Sequence, residues 1–103
     1  MDTIVCDWQI VTVKDEEYNI GKVLWGICVE DNSFRFAKGV YICTSRLVEI
    51  KPKKNLIKTA SGSIYKVVGD GKKATVELCD FELLRNGFSP LQIETLKATS
   101  LRH

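Results

Sequence analysis

The chain has 103 residues, 45% of them hydrophobic and 27% charged, with seven glycines, two prolines, four cysteines, one histidine and a formal charge of +2. That is the composition of one ordinary globular domain, and a chain of this size buries roughly two-thirds of its unfolded surface in one core without needing a disulfide framework. The lone histidine, His103, is the last residue, which excludes a Ser-His-Asp triad or a histidine-built metal site anywhere but at a fraying end, and no apolar run approaches the roughly 20 residues of a membrane span.

Ile4 to Val13 is rich in β-branched and aromatic residues and ends at Lys14-Asp15-Glu16-Glu17, which predicts a strand. From Lys22, the residues Val23, Trp25, Ile27 and Val29 recur at period two. The intervening Leu24, Gly26 and Cys28 are small or apolar too. This predicts a central strand covered on both faces, with Gly26 marking a bulge or a close backbone approach. Glu30-Asp31-Asn32-Ser33 reads as a turn and Phe34 to Thr44 as the return strand of the best hairpin, kinked at Gly39. Leu47 to Ile50 is short, and Pro52 offers no ladder donor, so an edge strand is expected, guarded by Lys51, Lys53 and Lys54.

Asn55 to Thr59 and Ser63 to Val68 flank the loop Ala60-Ser61-Gly62, and Gly69-Asp70-Gly71 leads into a strand from Ala74 to Cys79, giving a predicted three-stranded meander. Asp80 is placed to cap a helical turn over Phe81 to Arg85, which Asn86-Gly87 closes. Ser89, Pro90 and Gln92 have the spacing of an N-cap, a first helical residue and a capping box, opening a helix to about Leu101. Leu91, Ile93, Leu96 and Leu101 are its predicted sheet contacts. A run of strands followed by helix defines an α+β class, a mainly antiparallel β-sheet or small β-barrel with a C-terminal α-helix, as one domain over 1–103.

The charge of +2 conceals a separation. Residues 1–31 carry two lysines against seven carboxylates, residues 32–73 carry ten cations against Glu49 and Asp70, and the remainder is close to balanced. Either the acidic strands neutralise the basic ones across a sheet, or Lys51, Lys53, Lys54, Lys58, Lys72 and Lys73 form an exposed face for phosphates or an acidic protein. Aromatic residues are not interleaved with these lysines as stacking platforms on nucleic acid require. Arg46, in Thr44-Ser45-Arg46, is a candidate anchor for a phosphate or carboxylate.

Cys6, Cys28, Cys43 and Cys79 contain no Cys-x-x-Cys pair and read as small buried strand residues, with no metal ligand set and no catalytic thiol. Asp7, Glu30, Asp31, Glu49, Glu77 and Asp80 read as turn, cap or solvent-facing carboxylates. Gly69-Asp70-Gly71-Lys72-Lys73 lacks the spacing of a phosphate-binding loop. Most aromatic residues read as core, while Trp8, between Asp7 and Gln9, is a candidate interface residue.

Trp25-Gly26, Arg35-Phe36, Gly39, Tyr41, Thr44-Ser45, Asn55, Ile57, Thr59, Gly62-Ser63 and Tyr65 together resemble a pattern of small uncharacterised bacterial proteins carried by phages, integron cassettes and other mobile elements, with Val40 standing where that pattern has an acidic residue. The resemblance implies a stand-alone accessory binding domain and transfers no catalytic residue.

The expected function is a non-enzymatic binding or interaction domain, cytoplasmic because Met1-Asp2-Thr3 begins no signal peptide, homodimeric through a sheet edge or helix face, without cofactor or membrane contact. Its expected surface is Trp8, Arg35, Arg46 and the six lysines. Two alternatives stand beside it: a nucleic-acid binder using residues 51–73, and a small-ligand domain or enzyme with a pocket lined by Trp25, Phe36 and Tyr41 and anchored by Arg35 or Arg46.

Overall fold

The computed structural model describes residues 3–100. Strands β1 (Thr3–Asp15) and β2 (Tyr18–Asp31) form a long antiparallel hairpin around Glu16-Glu17, with Glu16 at φ +56°. Strand β3 (Tyr41–Cys43) pairs with Trp25–Ile27 of β2, and β4 (Leu47–Lys51), β5 (Leu56–Thr59) and β6 (Ile64–Val67) follow as antiparallel neighbours. Strand β6 lies parallel to β1 at Thr3–Val5, and β7 (Lys72–Glu77) lies parallel to it at Gln9–Lys14. The sheet order is β3-β2-β1-β6-β5-β4, with β7 beside β1. Helices α1 (Phe81–Arg85) and α2 (Pro90–Ser100) follow.

The class is α+β, as expected, but the sheet is mixed and does not close into a barrel. Strands β3 and β4 stand at opposite ends of the order although residues 44–46 alone connect them, so the sheet must curl; β4 and β2 nevertheless form no ladder. The expected meander ends at β6. Strand β1 is much longer than β6, and the backbone groups beyond Val5 need a second partner, which β7 supplies in parallel.

Residues 34–40 are not the expected strand. The Asp31 carboxylate accepts the backbone N–H groups of Ser33, Arg35 and Phe36 and the hydroxyls of Thr3 and Ser33, so donors that a ladder would need are drawn onto a side chain. Phe34 takes φ +61° and is exposed. The expected hairpin forms only where Tyr41–Cys43 pairs with Trp25–Ile27, and β1–β2 is the longer one.

The alternation read along β2 is real on both faces. Leu24 and Cys28 pack with Val5, Ile42, Ile57, Tyr65 and Val67, while Val23 and Trp25 pack on the other side with Val11, Val13, Val76, Leu84 and Ile93. Gly26 sits opposite the bulge at Asp7-Trp8, where an added Cβ would collide with Val5 and crowd the Cys6 carbonyl. Helix α2 begins with the expected reciprocal cap: Gln92 N–H donates to Ser89 Oγ (3.1 Å) and Ser89 N–H to Gln92 Oε1 (2.8 Å). Of its predicted contacts among the described residues, only Ile93 is buried. Leu91 is 68% exposed, Leu96 is exposed, and Leu101 lies outside the described residues. Asp80 occupies the N-cap position of α1 but makes no cap bond; its carboxylate meets Lys97 Nζ of α2 at 3.0 Å.

Candidate functional site

A cleft of about 410 Å³ opens where β2, the β3–β4 connection and α1 meet. Its apolar walls are Val13, Ile20, Val23, Leu78 and Phe81, and its cations are Lys22, Arg46 and Arg85. No carboxylate lines it. The aliphatic stem of Arg46 lies against Gly21, where a Cβ would stand 3.1–3.2 Å from its Cδ and Cγ, so a side chain at 21 would push the stem aside. Arg85 is positioned by its own backbone: the Tyr41 hydroxyl donates to the Arg85 carbonyl at 2.7 Å, tying α1 to β3. Glu82 approaches the Arg85 guanidinium at 3.4 Å, an exposed i,i+3 pair. Lys22 and Arg46 have no ion-pair partner among the described residues.

The hydroxyls in the cleft are already committed and its thiol is held protonated. Thr44 Oγ1 accepts from Leu24 N–H (3.0 Å) and donates to the Ser45 carbonyl (2.8 Å), while Ser45 Oγ engages Ser61. Burial pushes the Cys43 thiol up to about 11, against the opposing pull of the Arg85 charge, so it is protonated at neutral pH and is no ready nucleophile. What remains available is positive charge beside apolar surface. Such a site can bind a carboxylate or other anion carried on an apolar body, with bidentate guanidinium bonds fixing the anion.

Of the residues expected to form a binding surface, only Arg46 belongs to this cleft. Arg35 is a clamp: its guanidinium lies over Phe36 and Tyr65, 5.2 and 5.9 Å from the ring centroids, and donates to the hydroxyls of Ser33 (2.9 Å) and Ser63 (3.1 Å). Trp8 is half-buried and bonded to Gly69 rather than bare. Lys51, Lys53, Lys54 and Lys58 stand on β4, the turn Pro52–Lys54 and β5, with Glu49 facing Lys58 in register and 3.8 Å from Lys51 Nζ. Lys72 and Lys73 begin β7, opposite Gln9 and Ile10, in a groove along α2 that also carries Glu77, Asp80 and Glu94. The basic segment is thus divided between two places and interrupted by carboxylates. No ion pair among the described residues joins residues 3–31 to residues 32–73.

The expected pocket of Trp25, Phe36 and Tyr41 does not form. Trp25 is core, Phe36 packs at the edge of the other core cluster, and Tyr41 reaches across to α1. The buried-cysteine reading holds for Cys28 and in part for Cys6 and Cys43, but Cys79 is exposed in the turn Leu78–Asp80. Lys22, Leu78, Phe81 and Arg85 were not legible as site residues, because Lys22 is far in the chain from the other three and meets them only in the folded cleft. Comparison with protein families, curated proteins and solved structures finds no match for this chain. No helix among the described residues is long and apolar enough to cross a membrane.

Proposed function

We propose that this protein is a non-enzymatic binding domain that holds an anionic group borne on an apolar body in the cleft between β2, the β3–β4 connection and α1. One observation carries the reading: Lys22, Arg46 and Arg85 converge on apolar walls with no carboxylate among the lining residues. Lys22 and Arg46 have no ion-pair partner among the described residues and Arg85 keeps only an exposed pair with Glu82, so an anion beside the apolar walls can meet all three cations. Catalysis asks in addition for a poised acid, base or nucleophile. Among the lining residues the Cys43 thiol stays protonated and the Thr44 and Ser45 hydroxyls are already hydrogen-bonded. A nucleic-acid face on residues 51–73 draws less support, since its lysines are split between two parts of the sheet.

Octanoate is a minimal probe, combining one carboxylate with an apolar tail. Titration followed by amide chemical shifts is expected to move Ile20, Lys22, Arg46 and Phe81, and to lose that response in Arg46→Ala and Arg85→Ala. Shifts confined to other surfaces, or an unchanged response in both variants, would overturn the assignment.

A further inference from the structure

The cleft continues into a gap in the sheet. Strand β2 is paired by β3 only over Trp25–Ile27, so the edge of Tyr18–Lys22 turned away from β1 has no hydrogen-bonded strand among the described residues, although β4 comes close to β2. The edge of β4 turned away from β5 is equally bare. Between them lies a second cleft of about 390 Å³, lined by Gly21, Lys22 and residues 46–50, which shares Gly21, Lys22 and Arg46 with the first.

A bare edge presents unpaired N–H and C=O groups that template another strand, and proteins usually guard such edges with charge, proline or a covering element. Pro52 and Lys51 guard only the far end of β4. Along the gap, among Asn19, Lys22 and Glu49, four apolar side chains are open to solvent: Tyr18 is 74% exposed, Ile20 47%, Val48 52% and Ile50 43%. The charges that line the two connected clefts are Lys22, Arg46 and Arg85 against Glu49 alone.

We propose that the gap between β2 and β4 binds an extended peptide segment of a partner protein by strand addition, its apolar side chains covering Ile20 and Val48 and its acidic side chains meeting Lys22, Arg46 and Arg85. This rests on the binding reading above and names its ligand class. Main-chain pairing supplies affinity that is blind to sequence, and the cations supply the preference for acidic segments. A second copy of this chain fits less well. Two-fold self-pairing along the same edge brings Lys22 and Arg46 of one copy towards those of the other.

The test uses the whole protein and a fluorescent, acetylated and amidated peptide of alternating glutamate and valine. The expected result is saturable binding that slows amide hydrogen exchange within Tyr18–Lys22 or Val48–Ile50. N-methylating alternate peptide bonds, reversing the peptide charge to lysine, or introducing Arg46→Glu should each weaken binding by about tenfold or more. Lys22→Glu serves as the second variant should Arg46→Glu fail to fold. Equal binding of the N-methylated peptide would sink strand addition, and equal binding of the lysine peptide would sink the acidic preference. A concentration-dependent dimer by light scattering that slows exchange at the same residues and excludes the peptide would assign the gap to a second copy, overturning the proposal. Octanoate shifts without any peptide binding would overturn the proposal while leaving the binding cleft standing.

Discussion

The indole of Trp8 rests on Gly71. Its six-membered ring occupies the space that a Cβ at 71 would fill, and its Nε1–H donates to the carbonyl of Gly69 at 3.1 Å. This contact sits where the edge of β1 changes partner from β6 to β7, opposite Gly26 and next to the bulge at Asp7. A residue that the sequence offers as an interface candidate is therefore the joint between two parallel ladders. Gly71→Ala must displace the ring and disturb its hydrogen bond, so a loss of roughly 1–3 kcal/mol is expected from urea denaturation, the usual cost of overpacking. Gly62→Ala is the comparison: it meets open space, and only its φ of +89° opposes a side chain. Equal stability of Gly71→Ala and the parent would refute the joint.

Asp31 should give stability a dependence on acid. Burial opposes its charge, but the Ser33 hydroxyl, the Phe36 and Ser33 backbone N–H groups and the Thr3 hydroxyl outweigh that and hold its carboxyl well below the usual carboxylate range. A pKa depressed by folding contributes stability that is fully present above the unfolded value, about 4, and is lost as pH falls toward the folded value. Denaturation midpoints of the parent should therefore fall below about pH 4 more steeply than those of Asp31→Asn. The variant should also be less stable at pH 7 by roughly 1–3 kcal/mol, because its amide replaces an acceptor of several N–H bonds. Parallel pH profiles for the two proteins would contradict this role.

The cysteines should react in order of access. Cys79 is exposed, whereas Cys28 is buried and Cys43 is largely covered with its thiol raised to about 11. Labelling with an aromatic disulfide reagent at pH 8 and peptide mapping should find Cys79 modified first and Cys43 slowly. Rapid labelling of Cys43 in the folded protein would mean that the cleft holds a thiolate, and the non-enzymatic reading would then fail.

Helix α2 depends on its first turn more than on its apolar face, since Ile93 is buried while Leu91 and Leu96 are exposed. Ser89→Ala removes the acceptor for Gln92 N–H and should cost about 1 kcal/mol, with faster amide exchange confined to α2. Lys97→Ala breaks the ion pair to Asp80, whose lysine is half-exposed, and should cost less than about 1 kcal/mol. A larger effect from Lys97→Ala than from Ser89→Ala would reverse this ranking.

Local features were determined by the sequence alone, because their causes lie within a few residues. The alternation from Val23 to Cys28 announces a strand covered on both faces, Ser89-Pro90 with Gln92 announces a cap, and Gly26 announces a bulge or a close backbone approach, each formed as expected. Tertiary structure alone decided what depends on distant partners. That β7 joins β1 rather than β6 follows from unfilled backbone groups on a long strand. The loss of a strand at 34–40 follows from one carboxylate, Asp31, collecting the donors. The net charge of +2 showed least, since its meaning lies in position: Arg46 stood out in its own segment, but Lys22 and Arg85 did not, and the three meet only when the curled sheet and α1 bring them to one cleft.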